Sequence, residues 1–315
     1  MKIAFLINGS AKGLNKLTQD IQTTFKEYEP NIFLTEREGH NTELAQTAVT
    51  RGYDTIIICG GDGSLNEGIN GIIQAFKTGV GDAHEAYNWS QISKIKVGVF
   101  PYGSGNDFSK TVQIPRELND LKGLIQQQHT QLIDIGWASF FSAANELKHR
   151  FFINITDVGM GGETVLKLQN KFTRKLGADI NYFWAITSTI ATYTKVNVRA
   201  VGSNFTWEGK IMNFVVANGK YFGNGLGVAP EASVTDGQFE IVVVGDISLM
   251  DYLKNLKKIK ESQKINHPEV HYFRTDSVQI ESLEANNISI DMDGEFIGFA
   301  PMTLINLPQK IRFIC

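Results

Sequence analysis

The sequence predicts an α/β protein with two domains, in which a three-layer α/β domain with a parallel sheet precedes a β-rich domain. Three observations predict this organisation. Short apolar runs alternate with helical patterns through the first hundred residues. From about residue 132, short strand-like runs separated by Gly, Asn and Asp replace that alternation. The 315 residues of the chain are also too many for one typical hydrophobic core.

The first domain, residues 1–130, alternates strands with helices, which favours a parallel sheet covered by helices on both faces. The uninterrupted apolar run at 55–59 is typical of a strand buried at the centre of such a sheet. Asn41 is the candidate N-cap of the second helix. The predicted strands are 2–7, 31–35, 55–59 and 94–101, and the predicted helices are 15–28, 41–52, a helix ending near 77, and 116–128.

The second domain, residues 131–302, is predicted to consist of short strands interrupted by helices at about 163–194 and 248–262. Residues 303–315 are expected to return to the first domain. The aromatic stretch at 182–193 is interpreted as helix packing in preference to a lipid-entry surface. The lysine-rich run at 254–264 is interpreted as a solvated helix face, with contact to anionic lipid headgroups as the alternative.

Composition excludes several classes of protein. Apolar residues make up 42% and charged residues 20% of the chain, as in soluble globular proteins. The net charge of −3 provides no broad basic field for nucleic acid. Cys59 and Cys315 lie far apart and form neither a disulfide framework nor a metal-spaced cluster, so a cytoplasmic protein is expected. No apolar run is long enough for a signal peptide or a transmembrane span, so any contact with a membrane is expected at its surface.

The stretch GGDGSLNEGING at 60–71 follows an apolar strand and precedes a helix. Such a loop brings backbone N–H groups and a helix N-terminus close to one point, which suits a phosphate. It does not have the spacing of a Walker A loop or of a dinucleotide fingerprint. Asp62 would repel a phosphate, and a bridging metal ion or water would relieve that repulsion.

A second loop of the same character follows the next predicted strand, in VGVFPYGSGNDFSK at 97–110. It supplies Gly103, Ser104, Gly105, Asn106 and Asp107. Neighbouring strands of a parallel sheet place the loops that follow them along one edge, where ligands of α/β proteins bind. The two loops together therefore predict a phosphate-binding edge more sharply than either loop does alone.

The two loops resemble the GGDGT-x-NE and P-x-GT-x-ND-F motifs of the bacterial diacylglycerol kinase-like lipid kinases, a family that also includes sphingosine and ceramide kinases. The resemblance extends in order through nearly the whole chain. The other matching segments are INGSAKG at 7–13, LTEREGHNTELA at 34–45, QLIDIG at 131–136, FGNGLGVAPEASVTDGQFEIV at 222–242 and DMDGE at 291–295.

The resemblance implies a first domain like those of NAD kinase and diacylglycerol kinase, a sandwich-type second domain, and ATP- and magnesium-dependent phosphorylation of a lipid hydroxyl. It implies catalytic roles for Glu295, as the general base, and for Asp62. It also implies an acidic cluster of Asp62, Asp107 and Asp134 that positions magnesium, partly through water. The residues implied to bind the nucleotide are Asn8, Gly9, Ser10, Ala11, Lys12, Thr35, Gly60, Gly61, Asp62, Gly63, Ser64, Leu65, Asn66 and Ser104.

A second, structural magnesium is implied at Asp236, assisted by the backbone oxygens of Ser233 and Gln238. The residues by themselves leave an ordinary Asp-Gly turn equally open, because that pair is common in turns. Where the family has threonines, this chain has Ser64 and Ser104, which keep the hydroxyl but lose the rigidity of a β-branched side chain.

Two other functions stay open at the level of the sequence. An NAD kinase shares the GGDG loop and the two-domain plan, but NAD kinases as a rule carry their Asn-Glu pair well downstream, whereas Asn66 and Glu67 directly follow GGDGS. A catalytically silent nucleotide- or lipid-binding regulator would be expected to lack Asp62 or Glu295, and both are present. The lipid acceptor is not identified. The expected partner is a lipid at the inner membrane face, without nucleic acid, and a homodimer is compatible with the resemblance.

Overall fold

The structure, a computed structural model, describes residues 1–103, 105–168, 178–284 and 287–315. Ser104 and the middle of the helix predicted at 163–194 lie outside the described residues. The chain divides into two units. Met1–Asp134 and Gln309–Cys315 form the first unit, and Ile135–Pro308 form the second.

The first unit is built on a parallel sheet. The strands are β1 (Ile3–Asn8), β2 (Asn31–Thr35), β3 (Thr55–Gly60), β4 (Lys96–Pro101) and the end of β15 (Glu295–Ile314). They lie in the order β4, β3, β1, β2, and the last residues of β15 pair in parallel with β4 through Arg312 and Phe313. The helices are α1 (Leu14–Thr24), α2 (His40–Thr50), α3 (Asp62–Gln74), α4 (Trp89–Ile92), α5 (Asp107–Thr111) and α6 (Leu118–Gln126).

Helices cover both faces of this sheet. On one face, Phe5 of β1 and Ile57 of β3 pack with Ile21 of α1 and Ile125 of α6 in one buried cluster. On the other face, α3 packs so closely on β3 that a Cβ at Gly68 would lie 2.8 Å from Ile58 Cγ1. The predicted three-layer α/β architecture of the first unit is confirmed.

The start of α2 differs from the sequence prediction. Asn41 is not the N-cap, because the helix begins at His40 and Gly39 takes the cap position with a φ of 77°. No side chain of its own first turn caps the helix. Glu67 of α3 does so instead, since its Oε1 accepts from the Gly39 N–H at 3.0 Å and its Oε2 from the Asn41 N–H at 3.3 Å. A cap that comes from another helix leaves no signal in the local sequence.

The second unit is β-rich, as predicted, and its strands pair antiparallel. The strands are β5 (Thr130–Phe141), β6 (Leu147–Phe152), β7 (Ile155–Gly159), β8 (Val196–Gly202), β9 (Thr206–Ile211), β10 (Asn213–Ala217), β11 (Phe239–Val244), β12 (Val270–Thr275), β13 (Ser277–Ser282) and β14 (Ser289–Met292). One path of paired strands runs β12, β11, β10, β7, β14, β15. In addition, β13 pairs with β15 and β8, β8 pairs with β9, and β5 pairs with β6.

Two hydrophobic clusters show how the second unit is layered. The large cluster joins both parts of the strand network, through residues such as Phe214 of β10 and Ile280 of β13. A smaller cluster lies under the helices and joins Met212 to Ile186, Ile190 and Tyr252. These helices are α7 (Met160–Leu168), α8 (Ala178–Thr192) and α9 (Leu249–Lys260).

Candidate active site

The predicted nucleotide-binding loops lie along one edge of the sheet of the first unit. Strands β1 to β4 are parallel, so the loops that follow them emerge at the same end. The loops after β1 and β4 are in contact, because the Tyr102 hydroxyl donates to the Lys12 carbonyl oxygen at 2.7 Å. The structure therefore brings together the residues predicted after all four strands.

The first of these loops, from Asn8 to Lys12, is held by its own side chains. Asn8 Oδ1 accepts from the Ser10 N–H at 2.9 Å and from the Ser10 hydroxyl at 2.7 Å. Gly9 N donates to Thr35 Oγ1 at 3.2 Å, and a Cβ on Gly9 would lie only 2.2 Å from the Thr35 carbonyl oxygen. Glycine is therefore required at position 9 by the close approach of the ends of β1 and β2.

Asp62, the unusual residue of the glycine loop, holds the loop after β3 to the loop after β4. Its Oδ2 accepts from the Asp107 N–H at 3.0 Å, and its Oδ1 accepts from the Phe108 N–H at 2.9 Å. These N–H groups belong to the first turn of α5, where helix N–H groups have no partner within the helix. The carboxylate is thus part of the loop framework as well as a candidate for catalysis.

Glycines allow the same two loops to touch. A Cβ on Gly103 would lie 2.5 Å from Gly61 Cα, which is closer than any side chain tolerates. Asn106, with a φ of 54°, closes the second loop from within: its Oδ1 accepts from the Gly103 N–H at 3.1 Å, and its Nδ2 donates to the Gly103 carbonyl at 2.7 Å. These contacts hold the described part of the second loop against the glycine loop.

Asp62 and Asp107 form a carboxylate pair. A Cβ built on Gly105 would lie 3.3 Å from Asp62 Oδ2 and 3.6 Å from Asp107 Oδ2, so both groups face one point. Burial raises the pKa of Asp62, the Asp107 charge raises it further, and the two N–H donors oppose the rise. Lys110 pairs with Asp107 Oδ1 at 2.9 Å. Two carboxylates with room for water and phosphate oxygens fit Mg²⁺, which rarely uses an all-protein cage.

Asp134, the third acid of the predicted cluster, has a backbone partner. It is fully buried on β5, and its Oδ1 accepts a hydrogen bond from the Gln309 N–H at 2.8 Å. Within the described ranges, no three or more His, Cys, Asp or Glu side chains are grouped in a way that could hold a metal ion. Asp134 holds backbone in this structure, and its part in a magnesium-positioning cluster with Asp62 and Asp107 stays a prediction.

The remaining residues that are predicted to bind the nucleotide fall into two groups, which differ in how deeply they are buried. Gly60, Gly61, Gly63 and Ser64 lie in the loop and the first turn of α3, and Ser64 packs against Gly60. Leu65 and Asn66 are buried. Asn66 Oδ1 accepts from Asn70 Nδ2 at 3.1 Å. The structure thus places Leu65 and Asn66 inside the protein, and their contact with a nucleotide stays a prediction.

The predicted base, Glu295, lies at the start of β15 in the second unit, directly after a tight hairpin turn. Asp293 and Gly294 are the two turn residues, with φ values of 49° and 87°, as a type I′ turn requires. The Asp293 carboxylate is buried and accepts three backbone N–H groups, from Ile153, Asn154 and Ile155, at 2.9–3.1 Å. Asp293 therefore fixes the turn, and Glu295 is the acid that the turn presents.

Glu295 pairs with Arg150 of β6, a residue that the sequence analysis did not single out. The Arg150 guanidinium lies 2.8 Å from Glu295 Oε2, and both side chains are partly exposed. The ion pair holds the Glu295 carboxylate against β6. Arg150 lies in a strand without a motif, so only the cross-strand geometry identifies it.

A second carboxylate pair is buried beneath the same turn. Asp157 of β7 and Asp291 of β14 are directly opposite each other across antiparallel strands, and both are buried. One oxygen of each is satisfied, by Asn213 Nδ2 at 2.9 Å and by the Gly294 N–H at 3.0 Å. Asp157 Oδ1 and Asp291 Oδ2 have no donor among the described residues. Burial raises the pKa of Asp157 to about 7, and it raises the pKa of Asp291 with a further contribution from Asp157.

The predicted metal site at Asp236 contains a turn and an ion pair. Asp236 Oδ1 accepts from the Gln238 N–H at 3.1 Å, and Gly237 follows with a φ of 73°. Asp236 Oδ2 pairs with the Arg274 guanidinium. Ser233 Oγ lies 3.3 Å from Thr235 Oγ1. A metal ion at Asp236 would share this carboxylate with Arg274, so magnesium at this position stays a prediction.

Two family models match the two halves of the chain. The diacylglycerol kinase catalytic domain matches residues 2–138. The YegS C-terminal NAD kinase beta sandwich-like domain matches residues 156–315, which is half of the chain. The chain belongs to the diacylglycerol kinase-like family. The second of these matches confirms the sandwich-type second domain, and the membership confirms the resemblance carried by the GGDG, GSGNDF and DGE motifs.

Individual relatives agree with this family. A diacylglycerol kinase of Staphylococcus haemolyticus is 26% identical over 285 residues, covering 90% of this chain and 78% of its own. The corresponding protein of Staphylococcus carnosus is 26% identical over 285 residues and is covered to 84%.

A solved structure of a diacylglycerol kinase from Bacillus anthracis str. Sterne has a TM-score of 0.69 at 20% identity, with 99% of this chain and 96% of that chain covered. Yeast NADH kinase, solved with NADH, has a TM-score of 0.51 at 8% identity, covering 99% of this chain and 82% of its own. Both structures support the fold.

Proposed function

We propose that this protein is an ATP-dependent, magnesium-requiring lipid kinase that phosphorylates a hydroxyl group of a lipid such as diacylglycerol. The observation that supports it most directly is the hydrogen bonding of Asp62 to the first turn of α5. That contact holds two glycine loops side by side at one edge of the sheet, beside a second carboxylate, Asp107. A phosphate chain and a hard cation are the ligands that such an arrangement suits.

The nucleotide is assigned to the first unit. The loop from Asn8 to Lys12, Thr35 and the residues from Gly60 to Ser64 provide backbone N–H groups and hydroxyls for its phosphates, and Ser104 is proposed to add another hydroxyl. Asp62 and Asp107 would hold the magnesium ion, which when bound neutralises charge on the transferred phosphoryl group. Because phosphoryl transfer needs little covalent chemistry from the protein, the main contribution of these loops would be positioning.

The base is assigned to the second unit. Glu295 would accept the proton of the lipid hydroxyl as the oxygen attacks the phosphoryl group. Arg150 would hold the Glu295 carboxylate in place before the substrate arrives, and Asp293 would fix the turn that presents Glu295. Each of these residues has a separate task, so substitutions can separate the removal of the base from a loss of its position.

The experiment is transfer of labelled phosphate from ATP to a panel of lipids in mixed micelles. The panel contains diacylglycerol, phosphatidylglycerol, a sphingoid base and an isoprenoid alcohol, with NAD as a further acceptor. We expect transfer to one lipid, dependence on Mg²⁺, and a loss of about 10²–10⁴-fold in Glu295→Gln. Glu281→Gln, an exposed glutamate of β13, is the matched control and should retain full activity.

The alternatives give distinct results. Transfer to NAD but to no lipid would identify an NAD kinase-like enzyme, in keeping with the fold shared with NADH kinase. Binding of ATP without transfer to any acceptor would indicate a regulator that has kept the fold. Lipid phosphorylation that Glu295→Gln leaves unchanged would reject the assignment of the base while retaining the kinase.

A further inference from the structure

The pair of Asp157 and Asp291 has two acceptor oxygens that lack a donor. Asp157 is fully buried, and Asp291 is 1% exposed. The two residues are directly opposite each other on β7 and β14, so their side chains lie on the same face of the sheet. Asp157 Oδ1 and Asp291 Oδ2 have no donor in the part of the chain that the structure describes. A buried acceptor without a donor costs free energy, so this pair requires a donor of its own.

A single proton supplies that donor. If one of two adjacent carboxyl groups is protonated, its O–H donates to the other, and the repulsion between two like charges disappears. A metal ion suits the position less well, because α7 begins directly against the pair. A Cβ on Gly161, in the first turn of α7, would lie 2.0 Å from Asp157 Oδ2. The N-terminus of a helix carries partial positive charge, which disfavours a cation and favours a carboxylate.

Asp291 connects this pair to the turn that presents Glu295. Its Oδ1 accepts from the Gly294 N–H at 3.0 Å, and Gly294 directly precedes Glu295 in the chain. No described atom lies within 4 Å of a Cβ built on Gly294, so packing on that side does not hold the residue. The hydrogen bond to Asp291 therefore fixes the backbone from which the Glu295 side chain projects.

We propose that Asp157 and Asp291 share one proton, and that this proton keeps Glu295 in position for the reaction. Asp291 is a positioning residue in this scheme, because it acts on the base through the Gly294 N–H. When the shared proton leaves to solvent, two buried negative charges face each other. Their repulsion moves the Asp291 side chain, and Gly294 moves with it. The inference rests on the proposed function, since it requires Glu295 to be the base.

The charges closest to the pair do not replace the proton. The main charges that act on Asp291 are the carboxylates of Asp157, Asp293 and Glu295, which add to the effect of burial in raising its pKa. Burial also raises the pKa of Asp157 to about 7. The raised pKa values mean that the pair keeps its proton below about pH 7 and loses it as the pH rises.

The elements packed on the other sides of the pair leave this behaviour unchanged. Strand β10 contributes Asn213, which is not titratable and donates to Asp157. Tyr193, which follows α8, has its pKa raised by burial and then by Glu163 and Asp157, so it stays neutral at pH 7 to 9. Lys167 is the basic residue of α7, and it donates to a hydroxyl of α8 at 3.0 Å.

The pH profile of kcat tests the proposal, with diacylglycerol or whichever lipid of the panel accepts phosphate. Wild-type kcat should fall about fivefold from pH 7 to pH 8, because a group with a pKa of about 7 is half protonated at the first pH and about one-tenth protonated at the second. In Asp291→Asn, the amide oxygen still accepts from Gly294, and its NH₂ donates to Asp157 in place of the proton. This variant should keep its pH 7 kcat at pH 8, with the KM for ATP unchanged.

The matched control is Glu240→Gln. Glu240 of β11 is 2% exposed, and burial raises its pKa to about 7, as it does for Asp157. Its carboxylate accepts from the Glu231 N–H at 2.7 Å, so it holds a different loop of the second unit. Glu240→Gln should therefore retain the wild-type decline of kcat with pH, although it too removes a buried acid with a raised pKa.

Asp291→Leu removes the acceptor for Gly294 altogether. Its kcat should be about tenfold or more below that of the wild type at pH 7, because the base is misplaced, whereas Asp291→Asn should restore the activity. The Kd for ATP should stay the same in both variants, which shows that the nucleotide-binding unit is folded. If Asp291→Leu does not fold, the pH profile of Asp291→Asn still decides the proposal.

Infrared spectroscopy of the free protein detects the proton without turnover. The difference spectrum between wild type and Asp291→Asn at pH 6 should contain the C=O stretch of a protonated carboxyl group, and this band should be absent at pH 9. Absence of transfer to every lipid at every pH would contradict the proposed function, while the infrared band would still decide whether the proton is shared.

Three results would overturn the proposal itself. The first is a wild-type kcat that does not fall from pH 7 to pH 8, and the second is a decline that Asp291→Asn retains in full. The third is a stabilisation of the nucleotide-free protein by Mg²⁺ that Asp157→Asn and Asp291→Asn each abolish. That result would place a metal ion, and not a proton, between the two carboxylates.

Discussion

The glycine loop of the first unit and the DGE turn of the second both use an aspartate to hold backbone, but they differ in which acid remains for chemistry. In the glycine loop, Asp62 accepts two N–H groups of α5 and also faces the point shared with Asp107. In the DGE turn, Asp293 accepts three N–H groups, and Glu295 is presented two positions later. In the first region, Asp62 both holds the backbone and is proposed to take part in the chemistry. In the second region, Asp293 holds the backbone and Glu295 is proposed to take part in the chemistry.

This difference changes what a substitution can reveal. A change at Asp62 alters the loop framework and the proposed metal pair at once, so lost activity alone does not identify the cause. At the DGE turn the two effects can be measured separately, because Asp293 and Glu295 are different residues. The predictions below test this contrast, starting with the largest expected effect.

Asp62→Asn is expected to have the largest effect. We expect activity to fall about 10³-fold, because the pair that faces Gly105 loses one carboxylate. Stability should fall by roughly 2–3 kcal/mol, because an amide has one oxygen for two N–H donors. The measurements are lipid phosphorylation and urea unfolding. Asp20→Asn, an exposed aspartate of α1, is the control. Lost activity with unchanged stability would show that the contact with α5 contributes nothing to the framework.

Asp293→Asn is expected to act mainly on stability. The carboxylate accepts three N–H groups in a buried position, and an amide in its place would direct its own NH₂ at one of them. We expect a loss of about 3 kcal/mol in the free energy of unfolding, measured with urea, against Asp276→Asn as the exposed control. If Asp293→Asn were as stable as the control but inactive, Asp293 would belong with the chemistry and the division of roles would be wrong.

Much of this fold follows from hydrophobic pattern. The strands at 31–35 and 55–59 were predicted within one residue of β2 and β3, because apolar runs bounded by Gly, Asn or Pro have few other conformations. The loops that carry the motifs could be placed at one edge of the sheet, because the loops that follow neighbouring parallel strands all lie at the same edge. The cap of α2 was predicted wrongly, since its acceptor, Glu67, comes from another helix. Long-range hydrogen bonds of this kind are not encoded in local spacing.

Site residues that belong to sequence motifs could be predicted. Contacts that depend on the three-dimensional fold could not. Arg150 lies in an unremarkable strand, and only its 2.8 Å contact identifies it with Glu295. Asp134 lies at a matching acidic position, yet it is buried and binds the Gln309 N–H. The stretch at 182–193 was interpreted as helix packing, which holds for one face of α8. Apolar residues at helical spacing indicate a helix with distinct faces. They do not show that two faces of that helix are apolar, or that one of these faces is exposed to solvent.

The buried pair of Asp157 and Asp291 makes stability depend on pH. An aspartate in the unfolded chain has a pKa near 3.9, whereas burial raises the pKa of Asp157 to about 7 and raises that of Asp291 as well. The folded state therefore binds more protons between these values, and stability should fall as pH rises from about 4 to 7. Asp157→Asn should reduce this slope without abolishing it, because Asp291 stays buried and keeps a raised pKa, and it should gain roughly 2 kcal/mol at pH 8. Urea unfolding from pH 4 to 8 measures it.

The control for the predicted pH dependence of stability is chosen from the ionisable groups around Asp157 and Asp291. Asp293 and Glu295 add negative charge near Asp291, and the pKa of Tyr193 is raised by burial and by Glu163 and Asp157. Glu163→Gln therefore changes a neighbouring charge while leaving the pair intact, and it should keep the slope. A wild-type stability that is flat from pH 4 to 7 would mean that the two carboxylates ionise as they do in water.

The last prediction compares two glycines, Gly103 of the loop that contacts the glycine loop and Gly294 of the DGE turn. Gly294 has a φ of 87° with no atom within 4 Å of an added Cβ, so Gly294→Ala meets only backbone strain and should cost about 1 kcal/mol. Gly103→Ala would place its Cβ 2.5 Å from Gly61 Cα and must separate the two loops, at roughly 2–3 kcal/mol. Urea unfolding ranks the two variants. Nucleotide binding should weaken in Gly103→Ala alone, because only that loop is proposed to face the phosphates. An equal loss of nucleotide binding in both variants would remove the distinction between a loop that contacts the ligand and a turn that only presents a base.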